Sequence, residues 1–550
     1  QGLSVINDQI NFIREGTDNK NIKIGGILLT NYKAQTIINK GLRDKLNEVA
    51  SNINTKVYQS VIRDSIIFSD SQLTNNVCLL KYPNHNATQD YLGFINEFLK
   101  FRKVAIIGLG VSNIPLLDYM YEKKARVTVF DEREEHSIQK DILEKIKSYK
   151  FDYSFGKESL KKLKNFDIIF RSPSCLPTKQ ELEEESKRGA IITTEIEMLM
   201  KMCPCKIIGV TGSDGKTTTT SLINTILTKA GYKTYLGGNI GTPLFTKLSE
   251  ITPEDIVVLE LSSFQLMGMD VSPNIGVITN ITPNHLNIHK DYEEYIEAKK
   301  NIFKYQSEND KVILNYDNEI TNKCSKEAKS KVVFFSGNTK LENGFIVDDK
   351  IIKECKDGIR EHILDTNDVI LRGKHNFENI ATAIAATKGL VDKNVAIEAV
   401  KEFKPVEHRL EFIREIDGVK WYNDSVSSSP TRTIAGLNSF DENIILIAGG
   451  YDKNLDYTPI AKPIIEKVNG LILIGQTSGK IYEAVKNELE KQNKKLNIYM
   501  CDTLEDTVKK AKKIATENQV VLFSPASASF DMFKNFADRG IQFKNLVNKL

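Results

Sequence analysis

The chain has 550 residues, and 75 Lys and Arg stand against 72 Asp and Glu, a net charge of +3. With 41% apolar and 27% charged residues it reads as a globular protein of roughly three to five domains, which excludes disordered, collagen-like and disulfide-framework classes. The charge balance carries no signature of a nucleic-acid partner, and no apolar run approaches the ~18 residues of a membrane helix, so neither nucleic acid nor membrane is expected as a partner of residues 101–550.

Short apolar β-branched runs alternate with amphipathic stretches of helical length along the chain, the pattern of parallel sheets in α/β domains. The first runs fall at Gly26–Leu29, Val104–Ile107 and Val127–Phe130, followed by Ile207–Thr211, Ile256–Leu261 and Ile275–Thr279. Between 310 and 372 the runs Val332–Phe335 and Phe345–Val347 predict an antiparallel addition. Ile444–Ala448, Leu471–Ile474 and Val520–Phe523 complete the series. The punctuation divides the chain into 1–98, 101–197, 198–404 and 405–550, with Lys404-Pro405 as a hinge because the residue before Pro is biased away from helix. Seven scattered Cys fit a reducing cytoplasm. No leader of basic then apolar residues is seen, and because residue 1 is Gln rather than Met the start of the frame is expected upstream.

The strongest local signal follows the run Ile207–Thr211. Gly212-Ser213-Asp214-Gly215-Lys216-Thr217-Thr218 turns from a buried strand into a helix. Two glycines let backbone N–H groups converge on phosphate oxygens at a helix N-terminus. Lys216 can reach the β/γ-phosphates and Thr217 can hold Mg²⁺, although Val210 stands where the outer glycine of a phosphate loop is usual. Glu260 ends a strand at the edge where α/β sheets bind ligands, and His285 follows the strand at 275–279. Either alone is more simply an ordinary polar residue; sharing one sheet edge with Lys216 is what gives them weight. Gly108-Leu-Gly110 after Val104–Ile107, with Asp131 about 20 residues later, is an incomplete dinucleotide fingerprint whose third glycine is Asn113. A nucleotide-type ligand is the expectation there, with NAD as second choice. Cys203-Pro-Cys205 lacks a second pair for a zinc site and reads as two unpaired thiols. In the stretch Tyr292–Phe303, read as a helix, Lys299 falls inside the apolar stripe and Lys300 about 100° away from it.

These motifs, with Gly237-Gly-Asn239-Ile-Gly241, Leu259–Leu266, Asn280–His285, Glu297-Ala-Lys299, Gly373–Asn376, Glu407-His-Arg409, Asn423-Asp-Ser425, Gly449–Lys453 and Ser524–Ser529, stand in one order over residues 101–550. In that order they resemble the Mur ligases of peptidoglycan synthesis, most closely the members that add D-glutamate to UDP-N-acetylmuramoyl-L-alanine. The resemblance implies an α/β, three-domain Mur ligase: a Rossmann-like UDP-binding domain, a phosphate-loop ATPase centre and a Rossmann-like C-terminal domain, preceded by an extra α/β segment. It implies a cytoplasmic, monomeric enzyme that uses ATP and Mg²⁺ and forms an amide through an acyl phosphate; another Mur-type or a folylpolyglutamate-type ligase is the alternative.

By the same resemblance, Lys216, Glu260, His285 and Lys299 are catalytic. Thr217, Glu260, His285 and a carbamylated Lys299 hold metal. Residues 212–218 with Asn376, Arg409 and Asp424 hold ATP. Val111, Ser112, Asp131, Glu132, Gly238 and Asn239 face the UDP-linked substrate, and Lys453, Ser529, Phe530 and Phe536 face D-glutamate. The run from Ser524 to Gly540 is read as a strand passing into a helix whose N-terminus suits an anion. Three departures stand out: Val426 where some members carry Lys, Asn284 and Asn287 where acids often flank the metal His, and Ser174 where Gly usually follows Pro.

Residues 1–98 resemble instead the C-terminal part of ParA-type partition ATPases, through Gly25–Tyr32, Val61-Ile-Arg63 and the closing Tyr82-Pro83…Tyr91-Leu92. The phosphate loop of that family lies upstream of this part, so the segment alone is not expected to hydrolyse ATP. It reads as a fusion, a truncated frame or a joining artefact, and a chain starting near Glu97 is expected to keep its ligation activity.

Overall fold

The structure, a computed structural model, describes residues 24–32, 37–53, 55–73, 82, 85–100, 102–285 and 288–550. Gln1, Pro83 and Asn287, singled out above, lie outside these. The described residues form four sheets. The first pairs Ile27–Tyr32 in parallel with Val57–Arg63, joined by the helix Ile37–Asn52 and covered by the helix Asn86–Lys100. Tyr58 meets Phe94 edge-on at 4.9 Å, and the Glu97 carboxylate accepts the N–H groups of Gln59 and Ser60, each at 2.6 Å.

The second sheet has the order Asp152–Phe155, Arg126–Asp131, Lys103–Ile107, Ile168–Arg171, Ile191–Thr193, all parallel. Its middle strand is buried on both faces, which is why it reads as a continuous apolar run.

The central sheet has nine strands, in the order Ile359–Asp365, Ile351–Lys356, Gly344–Asp348, Lys331–Ser336, Lys311–Asn315, Ile275–Ile278, Lys206–Thr211, Ile256–Glu260, Thr234–Gly238. The antiparallel addition is real but smaller than the sequence predicts. Val332–Phe335 lies in the parallel part, and direction reverses only after Gly344–Asp348. The helix Glu319–Cys324 crosses over before Lys331–Ser336 and lets that strand enter parallel. Strand periodicity splits the core: Ile207, Val257 and Leu259 pack on one face. Ile208, Val210 and Val258 pack on the other, under the helices Lys216–Lys229 and Lys374–Thr387.

The register fixes the working edge. Ile278 pairs with Thr211, Val210 with Glu260, and Glu260 with Gly238. Four parallel strands therefore end side by side, and the loops that leave them converge.

The last sheet has the order Glu411–Ile416, Val419–Asn423, Val520–Phe523, Ile444–Ala448, Val468–Ile474, Asn497–Cys501. Only its first pair is antiparallel. No helix among the described residues is long and apolar enough to cross a membrane.

Candidate active site

At the end of Lys206–Thr211 the chain turns through two glycines with positive φ. Gly212 has φ +149°, and a Cβ there would lie 1.9 Å from Thr279 Oγ1. Gly215, φ +82°, caps the helix Lys216–Lys229, and a Cβ there would lie 2.5 Å from Asn379 Oδ1. Only glycine fits both places. The loop is tied to the strand beside it: Ser213 N donates to Asn280 O (2.9 Å), Ser213 Oγ to Thr282 O (2.9 Å), and Asp214 N to Asn280 Oδ1 (3.0 Å). Lys216 Nζ donates to the carbonyls of Gly212 and Ser213 at 2.8 and 3.0 Å. Val210 is fully buried in the sheet, a strand residue rather than part of the loop. Thr218 Oγ1 is buried without a hydrogen-bond partner.

Glu260 is 2% exposed. Its Oε1 accepts from Asn239 Nδ2 at 2.9 Å, and its backbone carbonyl accepts from Asn239 N at 2.8 Å. Its Oε2 is buried with no hydrogen-bond partner. An orphaned carboxylate oxygen is costly by itself and suits a cation. Asn239 lines the cavity beside Glu260. Gly238 stands behind it, φ +94°, where a Cβ would come 2.1 Å from Glu260 O.

The helix around Lys299 runs Tyr292–Lys300 and continues as turns. Lys299 is 1% exposed. Its Nζ donates to Gly212 O (2.9 Å) and Thr211 Oγ1 (3.2 Å) and lies 4.8 Å over the Tyr295 ring. Burial, with Lys216 nearby, holds its pKa well below that of an ordinary lysine. Lys300 points the other way and pairs with Glu297 (2.7 Å) and Glu327 (2.9 Å), which outweigh its burial and raise its pKa.

His285 adopts φ +55°, its N donates to Asn284 Oδ1 at 2.9 Å, and its ring meets Phe264 at 5.3 Å. Burial, then Lys216 and Lys299, lowers its pKa and keeps the ring neutral, as a metal ligand requires. The sequence reading passed over His289. It is buried and stacked on Phe264 at 4.8 Å, and it bonds Ser263 Oγ at 2.9 Å and Glu294 at 3.2 Å. Its spacing of four residues from His285 was the available signal.

Lys216, Thr217, Glu260, His285, Lys299 and Asn239 line one cavity of about 670 Å³. Ser174 reaches it from the second sheet, and Val426, Phe536, Arg409 and Arg432 reach it from the last. Val426 thus offers an apolar side chain there, and the cations on that side are the two arginines. Thr217 and Glu260 offer oxygen atoms of the kind Mg²⁺ takes, and His285 adds a nitrogen in the wall of the same cavity. Among the described residues the one tight His/Cys/Asp/Glu triad is Glu407, His408 and Glu411. Lys544 already bridges its carboxylates at 2.9 and 2.5 Å, so its cation is an ammonium.

A smaller cavity of about 160 Å³ adjoins the first and is lined by Asp214, Asn376, Arg409, Asp424 and Glu378 among others. Asn376 donates to Arg372 O at 2.7 Å and accepts from Asn379. Asp424 is buried and accepts from Ser427 Oγ (2.6 Å), Ser524 Oγ (2.7 Å) and Leu410 N (3.2 Å), while burial raises its pKa. It is a hub of hydrogen bonds at the end of the last sheet. Arg409 lines both cavities.

A third cavity, about 370 Å³, opens at the ends of the strands Lys103–Ile107 and Arg126–Asp131, with Gly108, Asp131, Glu132 and Ser172 in its wall. Asp131 Oδ2 accepts Leu109 N at 2.8 Å and its Oδ1 binds Arg133; Glu132 pairs with Lys179. Asn113 turns its amide back onto the carbonyls of Ile107 and Gly108 at 2.9 and 3.1 Å, closing the turn that a third glycine usually makes. Val111, 74% exposed, and Ser112 lie outside this wall. Ser174 lines this cavity as well as the large one.

The proposed D-glutamate residues are divided. Phe536 lines the large cavity; Lys453, Ser529 and Phe530 do not. Lys453 Nζ lies 5.8 Å over the exposed Phe530 ring, and Ser529 is buried. The strand Val520–Phe523 does not pass directly into a helix, which begins only at Phe536. The serines between are engaged internally: Ser524 with Asp424 and Thr433, Ser527 with Tyr457 and Thr477. Buried Arg539 draws the loop inward through the carbonyls of Ser527 and Ala528. Cys203 and Cys205 are free thiols, as the sequence predicts, with sulfurs in contact at 3.4 Å.

Comparison with known proteins gives a consistent result. Residues 102–194 match the family description "Mur ligase MurD-like, N-terminal domain", 210–387 "Mur ligase middle domain" and 408–527 "Mur ligase, glutamate ligase domain". The chain is 48% identical over 462 residues to the UDP-N-acetylmuramoylalanine–D-glutamate ligase of Acetivibrio thermocellus, covering 83% of this chain and 99% of that one. Against the ligase of the same name from Clostridium acetobutylicum it is 46% identical over 462 residues, with the same coverage. Among solved structures, the Thermotoga maritima UDP-N-acetylmuramate–alanine ligase superposes with TM-score 0.51 at 18% identity, covering 82% of this chain and 99% of that one. The T. maritima MurF ligase in complex with ADP gives TM-score 0.50 at 16% identity, with 82% and 98% covered. These two likenesses concern the fold alone. Matched in three successive segments and close to half identical to relatives it covers almost end to end, the chain belongs to the Mur ligase family, in its MurD-like branch.

Proposed function

We infer that this chain is an ATP-dependent ligase that adds D-glutamate to UDP-N-acetylmuramoyl-L-alanine in peptidoglycan synthesis. The observation that carries the chemistry is the buried, unpartnered Oε2 of Glu260 sharing a cavity with Lys216 and Thr217 where elements of all three domains meet. In this reading the nucleoside occupies the smaller cavity beside Asn376 and Asp424, and the triphosphate crosses the loop at 212–218. Thr217, Glu260 and His285, with Lys299 once carbamylated, hold Mg²⁺. When bound, that ion offsets charge on the transferring phosphoryl group.

The chain's own contribution is positioning and charge. Backbone N–H groups of the loop and the Lys216 ammonium hold the phosphates. The UDP end of the substrate lies along the Gly108–Ser112 turn and Asp131–Glu132. Ser174, common to both cavities, marks where its carboxylate passes toward the γ-phosphate. That carboxylate displaces ADP from the γ-phosphorus. The amine of D-glutamate then attacks the acyl carbon, loses a proton and expels inorganic phosphate. Phe536 borders the reacting end, and Lys453, Ser529 and Phe530 receive the amino acid as the C-terminal unit closes. The boundaries are read as 101–197, 198–404 and 405–550, with one sheet to each unit. The enzyme is read as a cytoplasmic monomer, in keeping with six free thiols among the described residues. Residues 1–98, with a parallel strand pair under helical cover, are read as a ParA-like C-terminal fragment.

Phosphate release from ATP that requires both UDP-N-acetylmuramoyl-L-alanine and D-glutamate is the test. Comparable turnover with L-lysine or diaminopimelate and none with D-glutamate rejects the assignment in favour of another amino-acid-adding ligase.

A further inference from the structure

The two adjoining cavities share four residues: Asp214, Gly215, Arg409 and Arg432. Lys216 and Thr217 line only the larger one, and Asn376 and Asp424 only the smaller. A nucleotide seated with its base in the smaller cavity and its phosphates over the loop must therefore pass its terminal phosphate through this junction. Arg409 already has a place in the nucleotide site. Arg432 has none, and nothing in the motifs pointed to it.

Arg432 is the third residue of the helix Pro430–Leu437, in the C-terminal unit. Its Nε lies 3.2 Å from Asp214 Oδ1, on the phosphate loop of the central unit. The side chains are 30% and 52% exposed, and ion pairs this open to water add little. The contact holds the guanidinium at the junction without committing it there. A terminal phosphate carries more charge than one carboxylate and offers three oxygens to a planar donor that stays protonated.

We propose that Arg432 is a catalytic residue of the ligation: it exchanges Asp214 for the γ-phosphate of ATP and steadies the phosphoryl group in transfer. In that step the substrate carboxylate oxygen bonds to the γ-phosphorus, and the bond from that phosphorus to the β,γ-bridging oxygen breaks. ADP leaves with the bridging oxygen and its electron pair. Arg432 donates hydrogen bonds to the γ-phosphoryl oxygens and keeps all its protons. Because it comes from the C-terminal unit, the phosphoryl group is stabilised fully only when that unit has closed on the loop. The assignment rests on the ligase reading above.

The test uses the full chain and the variants Arg432→Ala, Arg432→Gln and Arg432→Lys, checked for native melting. The expected result is a fall in kcat of about a hundred- to a thousand-fold in Arg432→Ala and Arg432→Gln, partly restored in Arg432→Lys. KM for D-glutamate is expected to stay within about threefold, because the interaction forms mainly in the transition state. Calorimetric binding supplies a second readout: Arg432→Ala and Arg432→Gln should weaken the β,γ-imido analogue of ATP and leave ADP, which has no γ-phosphate, unchanged. Unchanged kcat in folded variants, or equal loss of affinity for both nucleotides, overturns the proposal. If the unaltered protein does not ligate D-glutamate, the ligase reading fails, and the nucleotide pair still decides whether Arg432 meets the γ-phosphate.

Discussion

Lys299 shows what a single buried residue can be asked to do. It sits 1% exposed between Tyr295 and the phosphate loop, with its amine on the carbonyl of Gly212. Burial favours the neutral amine, and a neutral amine can add to CO₂, releasing one proton and leaving a carbamate. Lys299→Ala is therefore expected to lower turnover roughly ten- to a hundred-fold at saturating Mg·ATP. Lys300→Ala, which loses two ion pairs on the side away from the phosphate loop, should keep near-native turnover. A mass increase on Lys299 matching one CO₂ identifies the group, and equal near-native rates for the two variants exclude it. Glu378, in the smaller cavity, gives a pH prediction. Burial raises its pKa from 4.5 to about 7. Between those values the folded protein holds a proton that the unfolded chain has released, so stability falls as pH rises through this window, by at most about 3 kcal/mol. Glu378→Gln should flatten that fall in urea midpoints measured from pH 4.5 to 7.5.

At the scale of elements, the edge of the central sheet does the positioning. Glu260 and Gly238 pair across adjacent strands, and the turn that follows returns Asn239 to both the carbonyl and the carboxylate of Glu260. Asn239→Ala strips Glu260 Oε1 of its donor, and we expect a loss of activity much larger than the loss of stability, read as kcat against melting midpoint. Gly238→Ala places a methyl 2.1 Å from a backbone oxygen at φ +94°. A destabilisation of about 1–3 kcal/mol is expected, and a melting curve unchanged from the native protein contradicts this account. The run Ser524–Gly540 shows where local reading stops. Hydroxyls followed by a helical pattern look like a strand-to-helix anion site. The buried guanidinium of Arg539, 2% exposed, instead gathers the carbonyls of the intervening loop. The same guanidinium also bonds Ser425, 114 residues earlier in the chain, and no local propensity encodes that.

For the whole molecule, the first sheet is held largely by its own helices, with a tie from Tyr58 to Arg102 in the next unit. Glu97 binds the strand Val57–Arg63, and Arg63 pairs with Asp90 at 2.6 Å. The next unit begins with its own anchor: Arg102 bonds Asp167 at 2.7 Å, and Lys103 N donates to the same carboxylate at 2.9 Å. A chain beginning at residue 101 is therefore expected to keep turnover within about twofold. A folded, inactive product gives residues 1–98 a role in catalysis.

The sequence by itself determined the strands and the glycine loop, because these depend on neighbours in the chain. Buried parallel strands must be continuously apolar, a phosphate loop must carry glycines where φ is positive, and a lysine inside an apolar stripe must be buried. The family followed from the order of such motifs. Tertiary structure alone decided what depends on residues far apart. It brought Asn239 onto Glu260 and stacked His289 on Phe264. It filled the Glu407–His408–Glu411 cluster with Lys544 and carried Arg432 from one domain to Asp214 in another. In each case the partner is chosen by strand register and domain packing, neither of which leaves a mark on the spacing of residues along the chain.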